Sequence, residues 1–269
     1  MNGTPLELFE HNRRAWDRAV REGHRWTIPV AAKEVAQARE GHFNLLLTPR
    51  VAVPHAWFGR LPGTRILALA SGGGQQGPIL AAAGARVTVL DASGAQLERD
   101  HQVAEREGLE LELVQGDMAS LDAFGDACFD LIFHPVSNCF IPRIDSLWRE
   151  CARVLIPGGV LLAGFANPLL YLFDDDAVEA TGRLELCHHL PYSDLEQLDE
   201  TRRKQREENE QPLEFGHTLS EQIGGQLRAG FVLTDLYEDD FGTSEHLLSR
   251  HSPVFIATRA RKKTTAHPR

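Results

Sequence analysis

Apolar residues fall along the chain in two regimes. In residues 5 to 22 and 29 to 40 they recur at helical spacing, with Leu6, Phe9, Trp16 and Val20 roughly on one face of the first segment and Val30, Val35 and Ala38 in the second. From Arg65 the pattern changes to short apolar runs alternating with helical stretches: RILALA, QQGPILAAAG, RVTVLD, SGAQLERDHQVAEREG, LELVQGD, FDLIFH, RIDSLWRECARVL and GGVLLAGFA. Runs of successive apolar residues joined by helices predict a mostly parallel sheet, buried on both faces and connected by right-handed crossovers. After Ala166 the rhythm breaks. Residues 167 to 212 hold the acidic DDD, a short RLELCHHL run and the very polar ETRRKQREENEQ helix, and read as a cap inserted over the sheet edge. The rhythm resumes with a helix near residues 218 to 229, a strand FVLTDLYED and a last strand PVFIATRA at 253 to 260. No helix separates those two strands, so they predict an antiparallel closing hairpin. The expected fold is α/β: a doubly wound, Rossmann-like domain over 46–269 with the cap at 167–212, preceded by a helical lid over 1–45.

Composition narrows the partners. The chain is 42% hydrophobic and 25% charged, enough for a sizeable core, and 28 Lys plus Arg against 38 Asp plus Glu give a net charge of −10, which repels a phosphate backbone. Nucleic acid is therefore not expected as a partner. The basic cluster Arg259, Arg261, Lys262, Lys263 and Arg269 reads as a solvated tail. Four cysteines without CxxC spacing predict reduced thiols rather than a zinc site or a disulfide scaffold. Cys187, His188 and His189 are adjacent, so their side chains alternate between faces and cannot readily share an ion; no metal is expected. No apolar stretch approaches the ~20 residues of a membrane span, and MNGTPLELFEHNRRAWDRA lacks a signal-type apolar core. The expectation is a cytoplasmic protein acting on a small molecule, with no membrane.

The strongest chemical signal is ILALASGGGQQGPILAAAGARVTVLDAS. A strand running into consecutive glycines and then a helix lets backbone approach a ligand closely and aims free N–H groups at it. Ala70, Ser71, Gly72, Gly74, Gln75 and Gln76 form this candidate turn. Asp91, with Ala92 and Ser93, ends the next strand ~20 residues on, where a carboxylate can accept hydrogen bonds from ribose hydroxyls. The third strand ends in Asp117 and Met118, placed to take an exocyclic amine and to pack on a base. A tight strand–helix turn and a helix cap at Asp117 are the alternatives for these positions taken singly.

Together, LALASGGGQQGP, LDAS, QGDM, FDLIFHPVSNCF and LWRECARVLIPGGVLLAGF resemble the class I S-adenosylmethionine-dependent methyltransferases over roughly residues 60 to 260. The resemblance implies a seven-stranded sheet whose last strand is antiparallel, and S-adenosylmethionine as cofactor. Two departures stand out. Ala68 replaces the acid usual in the first strand and Ala70 replaces the glycine that usually opens the turn, leaving Gln75 and Gln76 as candidate contacts for the methionine moiety. The leader WDRAVREGHRWTIPV looks like that of a bacterial subfamily, in which Trp16, Trp26 and Ile28 are expected to close over the cofactor. An NAD(P)-dependent oxidoreductase fits less well, because the turn lacks GxGxxG spacing and no Tyr-Lys pair stands out.

The carboxyl end of the fourth strand is where an open α/β sheet holds reacting groups. Phe133 reads as core or as a ring facing the sulfonium, Asn138 as a loop amide or a contact to the methionine carboxylate or amine, and His134 as a strand-end hydrogen-bonding residue or a base. Cys139 reads as buried packing. Tyr171 lies close enough to the fifth strand to reach the mouth of the site. Methyl transfer to a small molecule is the leading expectation. The alternative is cyclisation of S-adenosylmethionine itself to azetidine-2-carboxylate and methylthioadenosine, as in the azetidine-2-carboxylate synthases, which look similar in the fourth-strand and Tyr171 regions. That reading draws on Ala68, on Phe133, Phe140 and Tyr171 around the sulfonium, and on Asn138 to orient the chain.

Overall fold

The computed structural model describes residues 4–264. Seven strands form one sheet: β1 Arg65–Leu69, β2 Arg86–Asp91, β3 Leu111–Gln115, β4 Phe129–His134, β5 Leu155–Ala166, β8 Phe231–Asp239 and β9 Phe255–Lys262, in the order β3-β2-β1-β4-β5-β9-β8. Within the cap, β6 Tyr192–Ser193 and β7 Phe215–Gly216 make a separate two-stranded pair. Strands β1 to β5 are parallel and β9 is antiparallel to both its neighbours, as the sequence predicts. The order reverses between β1 and β4, and the crevice at their carboxyl ends is the ligand site of such sheets.

Alternation along the central strands sends side chains to two cores. Ala68, Leu131, Phe133 and Leu162 face one layer, built from α2 Ala32–Arg39, α3 His55–Phe58, α4 Gln76–Ala82 and α5 Gly94–Glu107. Leu67, Leu69, Ile132, Leu161 and Ala163 face α6 Asp145–Val154, whose Leu147, Trp148 and Cys151 are fully buried. α6 also packs on α10 Leu219–Arg228, where the Trp148 indole donates to the carbonyl of Glu221 at 3.2 Å.

The predicted lid is α1 Pro5–Glu22, a short turn at Arg25–Thr27 and α2. Thr4 and Glu7 form a capping box that starts α1, and Gly23 in the left-handed conformation ends it. The lid is docked rather than free. Asp17 accepts from the Ser93 hydroxyl at 2.6 Å, and Asn12 bonds the carbonyls of Phe140 and Leu213 at 2.9 and 3.0 Å, tying α1 to the sheet and to the far end of the cap.

The cap holds a 3-10 turn at Pro168–Leu172, α7 Asp175–Thr181, α8 Asp194–Gln197 and α9 Glu200–Glu208. It extends beyond the expected end at residue 212, because β7 closes it by pairing with β6. RLELCHHL is a loop with one bridge, Leu186 to Phe173. Asp174, the first of the DDD run, caps α7 through the amide of Ala177.

Candidate active site

A cavity of about 540 Å³ opens at the carboxyl ends of β1, β2 and β4, roofed by α1 and the cap. Ala70, Ser71, Gly72, Gln75, Gln76, Asp91, Ala92, Asp117, Met118, Trp16 and Trp26 all line it. The turn is held from below by two carboxyl groups. Asp91 accepts from the amides of Gly72 and Ser93, each at 2.9 Å, and Asp100, on α5, accepts from Gly73 at 2.9 Å. Burial pushes the Asp91 carboxyl up to about 6, against the pull of those amides. Asp100 is deeper, and burial pushes it to about 8, with Asp91 adding repulsion. Each Asp91 oxygen takes one backbone donor and keeps lone pairs for a ligand.

Several predicted contacts do not reach this space. Gly74 packs under the lid, where a Cβ would come within 2.8 Å of the Arg99 carbonyl oxygen and 3.0 Å of Pro29. Ser93 is buried as the cap of α5, its hydroxyl oxygen accepting from Gln96. Gln75 lines the cavity, but its amide donates to the carbonyls of Arg25 and Ile28 at 3.1 and 2.9 Å, so it fastens the lid. Ile28 is 56% exposed and points away. Trp16 meets Phe140 edge-on at 5.3 Å over the cavity, and Trp26 carries the Arg25 guanidinium 4.5 Å above its ring. Asp117 caps a turn rather than a helix, accepting from Ala119 at 2.8 Å.

Three of the four predicted catalytic positions do not line the cavity. Phe133 is fully buried on the inner face of β4, stacked on Phe58 at 6.1 Å, because a strand covered on both sides keeps its last residues inside. His134 points to the other face, bonded to the Leu69 carbonyl at 3.0 Å, and burial lowers it to about 4, so it stays neutral. Asn138 is 1% exposed and its amide is exchanged with Gln222 at 2.8 and 3.2 Å. Tyr171 does face the cavity and donates its hydroxyl to Glu214 at 2.9 Å.

The residues that sequence reasoning missed are Asn12, Gln96, Asp100 and Glu214. Ser71 and Gln96 test whether the site fits a nucleoside ligand: Ser71 Oγ and Gln96 Oε1 are buried, line the cavity and have no hydrogen-bond partner. Such atoms are costly unless a ligand engages them. The donor and acceptor set fits a polar ribosyl group against an apolar base. Cys139, Phe241, Phe255, Leu170 and Phe140 surround the far end, beside Tyr171 and Glu214. His188 packs on Tyr192 at 5.0 Å, and the backbone amide of His189 donates to the Gln197 side-chain oxygen at 3.0 Å.

A sequence model for a methyltransferase domain matches residues 67–163. An uncharacterized methyltransferase of Bacillus subtilis is 45% identical over 255 residues, spanning 95% of this chain and 98% of that protein. A sterol 24-C-methyltransferase of Gibberella zeae is 35% identical over 122 residues, covering 44% of this chain and 31% of its own. An S-adenosylmethionine-dependent methyltransferase of Mesorhizobium loti superposes with a TM-score of 0.59 at 19% identity, over 77% of this chain and 94% of that one.

Proposed function

Because the chain belongs to the S-adenosylmethionine-dependent methyltransferases and takes S-adenosylmethionine as cofactor, we propose that it methylates a small, largely apolar molecule held under the cap. The observation that carries this reading is the two-ended cavity. One end gathers Asp91, Asp117, Met118 and the unpartnered Ser71 and Gln96, and the other is walled by Phe140, Leu170, Phe241 and Phe255. Asp91 holds the ribose hydroxyls, while Asp117 and Met118 hold and flank the adenine. Bound there, the cofactor supplies a methyl group on a positively charged sulfur. The chain's own part is to orient the acceptor and exclude water, since the sulfonium leaves as a neutral thioether and needs no acid.

The cyclisation alternative loses two supports. Phe133 stacks on Phe58 in the core and Asn138 is bonded to Gln222, so neither lines the cavity. Product analysis separates the readings. Purified protein with S-adenosylmethionine and a panel of apolar acceptors is expected to form S-adenosylhomocysteine only when an acceptor is present. Methylthioadenosine from S-adenosylmethionine alone would reverse the assignment.

A further inference from the structure

We propose that Glu214 is the base that receives the acceptor's proton, and that the acceptor is therefore an apolar small molecule whose attacking atom is a hydroxyl or an amine; this rests on the methyl-transfer reading above. Glu214 enters the cavity wall from the segment leading into β7, beside Tyr171 and Cys139 and between the apolar end of the cavity and a polar hollow behind it. Its Oε2 takes the Tyr171 hydroxyl at 2.9 Å. That hydroxyl also lies in hydrogen-bonding reach of the Cys139 thiol, on the loop after β4. Glu214 and the glycine-turn residues Ser71 and Gly72 line one and the same cavity.

The pair is held with more structure than a surface carboxyl would be. Tyr171 lies flat on Gly216, where a Cβ would fall 2.5 Å from its ring, and stacks on Tyr192 at 5.4 Å. The Tyr192 hydroxyl bonds Asp194 at 2.7 Å, and the other Asp194 oxygen receives the amide of Glu214 at 2.9 Å and Arg206 at 3.1 Å. The charged and titratable groups around Glu214 are Asp194, Arg206, Asp175, Tyr171 and Cys139. Burial and then Asp194 raise its carboxyl to about 7, outweighing Tyr171 and Arg206, which places it near neutral pH where proton transfer is most effective.

The step balances. A lone pair on the acceptor oxygen or nitrogen forms the bond to the methyl carbon, the carbon–sulfur bond breaks with its electrons staying on sulfur, and the acceptor's proton passes to Glu214. A sulfonium and a carboxylate become a thioether and a carboxylic acid. Glu214 also borders a second, polar hollow of about 460 Å³ lined by Asp176, Arg202, Gln205 and Arg206, which gives the proton a wet way out.

The test uses binding, so it does not wait for the natural acceptor. Protein loaded with S-adenosylhomocysteine is titrated with 2-naphthol and with its methyl ether between pH 6 and 8. The naphthol is expected to bind at least tenfold more tightly, by a margin that grows with pH. In Glu214→Gln the margin is expected to shrink at least fivefold and lose its pH dependence, with S-adenosylhomocysteine affinity within twofold of wild type. Tyr171→Phe keeps the carboxylate and removes a bond that lowers its pKa, so it should keep the preference and move its pH dependence upward; this variant carries the test if Glu214→Gln does not fold. Equal binding of both probes, binding of neither, or a preference unchanged in Glu214→Gln overturns the proposal. Failure of wild-type protein to bind S-adenosylhomocysteine overturns the methyl-transfer reading itself, and the base with it.

Discussion

Two carboxyl groups beneath one glycine turn should answer differently to mutation and to pH. Asp91 faces the cavity, and if it holds the ribose as proposed, Asp91→Ala is expected to weaken S-adenosylmethionine binding by ~1.5 to 3 kcal/mol, roughly ten- to 150-fold by calorimetry. Because burial lifts its carboxyl to about 6, wild-type affinity should also decline as pH falls through 6, a decline absent from Asp91→Asn. Asp100 has no face on the cavity and acts on the turn through Gly73. Its folded-state pKa is raised above the ordinary carboxyl value to about 8, so the folded protein binds a proton that the unfolded chain has released. Stability should therefore fall as pH rises from about 4 to 8. Asp100→Asn should flatten that slope in denaturant melts while keeping the Gly73 bond, whereas Asp100→Ala should cost about 1 to 3 kcal/mol. Asp91 was legible because it ends a strand at a set distance from a glycine turn. Asp100 and Glu214 were not: one lies on a helix that reads as amphipathic, the other beside a charge-rich stretch that reads as solvent-facing, and neither spacing says which polar groups fold inward.

At the level of elements, lid and turn are one hydrogen-bonded unit. Gln75 reaches from the start of α4 to two lid carbonyls, Val30 donates to the Gly74 carbonyl at 2.9 Å, and the Trp26 carbonyl sits where a Cβ on Gly73 would be, at 2.7 Å. Gln75→Ala removes two bonds of about 1 kcal/mol each, so local opening of residues 25 to 31 should rise roughly tenfold or more. Limited trypsin digestion at Arg25 measures this, and added S-adenosylmethionine should slow cleavage again. The helices of the lid, the parallel core and the closing hairpin were legible because each has a sustained period and a recognisable cap or turn. The closure of the cap by β7 was not, since two residues define no period. The same limit explains Phe133: continuous apolarity shows that β4 is covered on both faces but not that its last residues stay inside the layers.

Across the whole molecule, the sheet is completed out of order. β9 lies between β5 and β8, pairing with Val160 to Ala166 over seven positions, although about 90 residues separate them in sequence. β5 is buried through most of its length, so without β9 one edge of the sheet is a long row of unpaired amides and carbonyls flanked by apolar side chains. A chain ending at Val254 is therefore expected to aggregate rather than to fold as a smaller domain, and comparing its soluble fraction with that of the full chain measures this. During synthesis the ribosome releases the five parallel strands and the entire cap before β9 leaves the exit tunnel. At the 5 to 20 residues per second typical of translation, β5 waits several seconds with an open edge. The crevice at the ends of β1 and β4, whose strands are already made, has the opportunity to assemble first. Where such a chain is overproduced, slower growth or chaperone supply during that interval should govern yield more than the stability of the finished sheet.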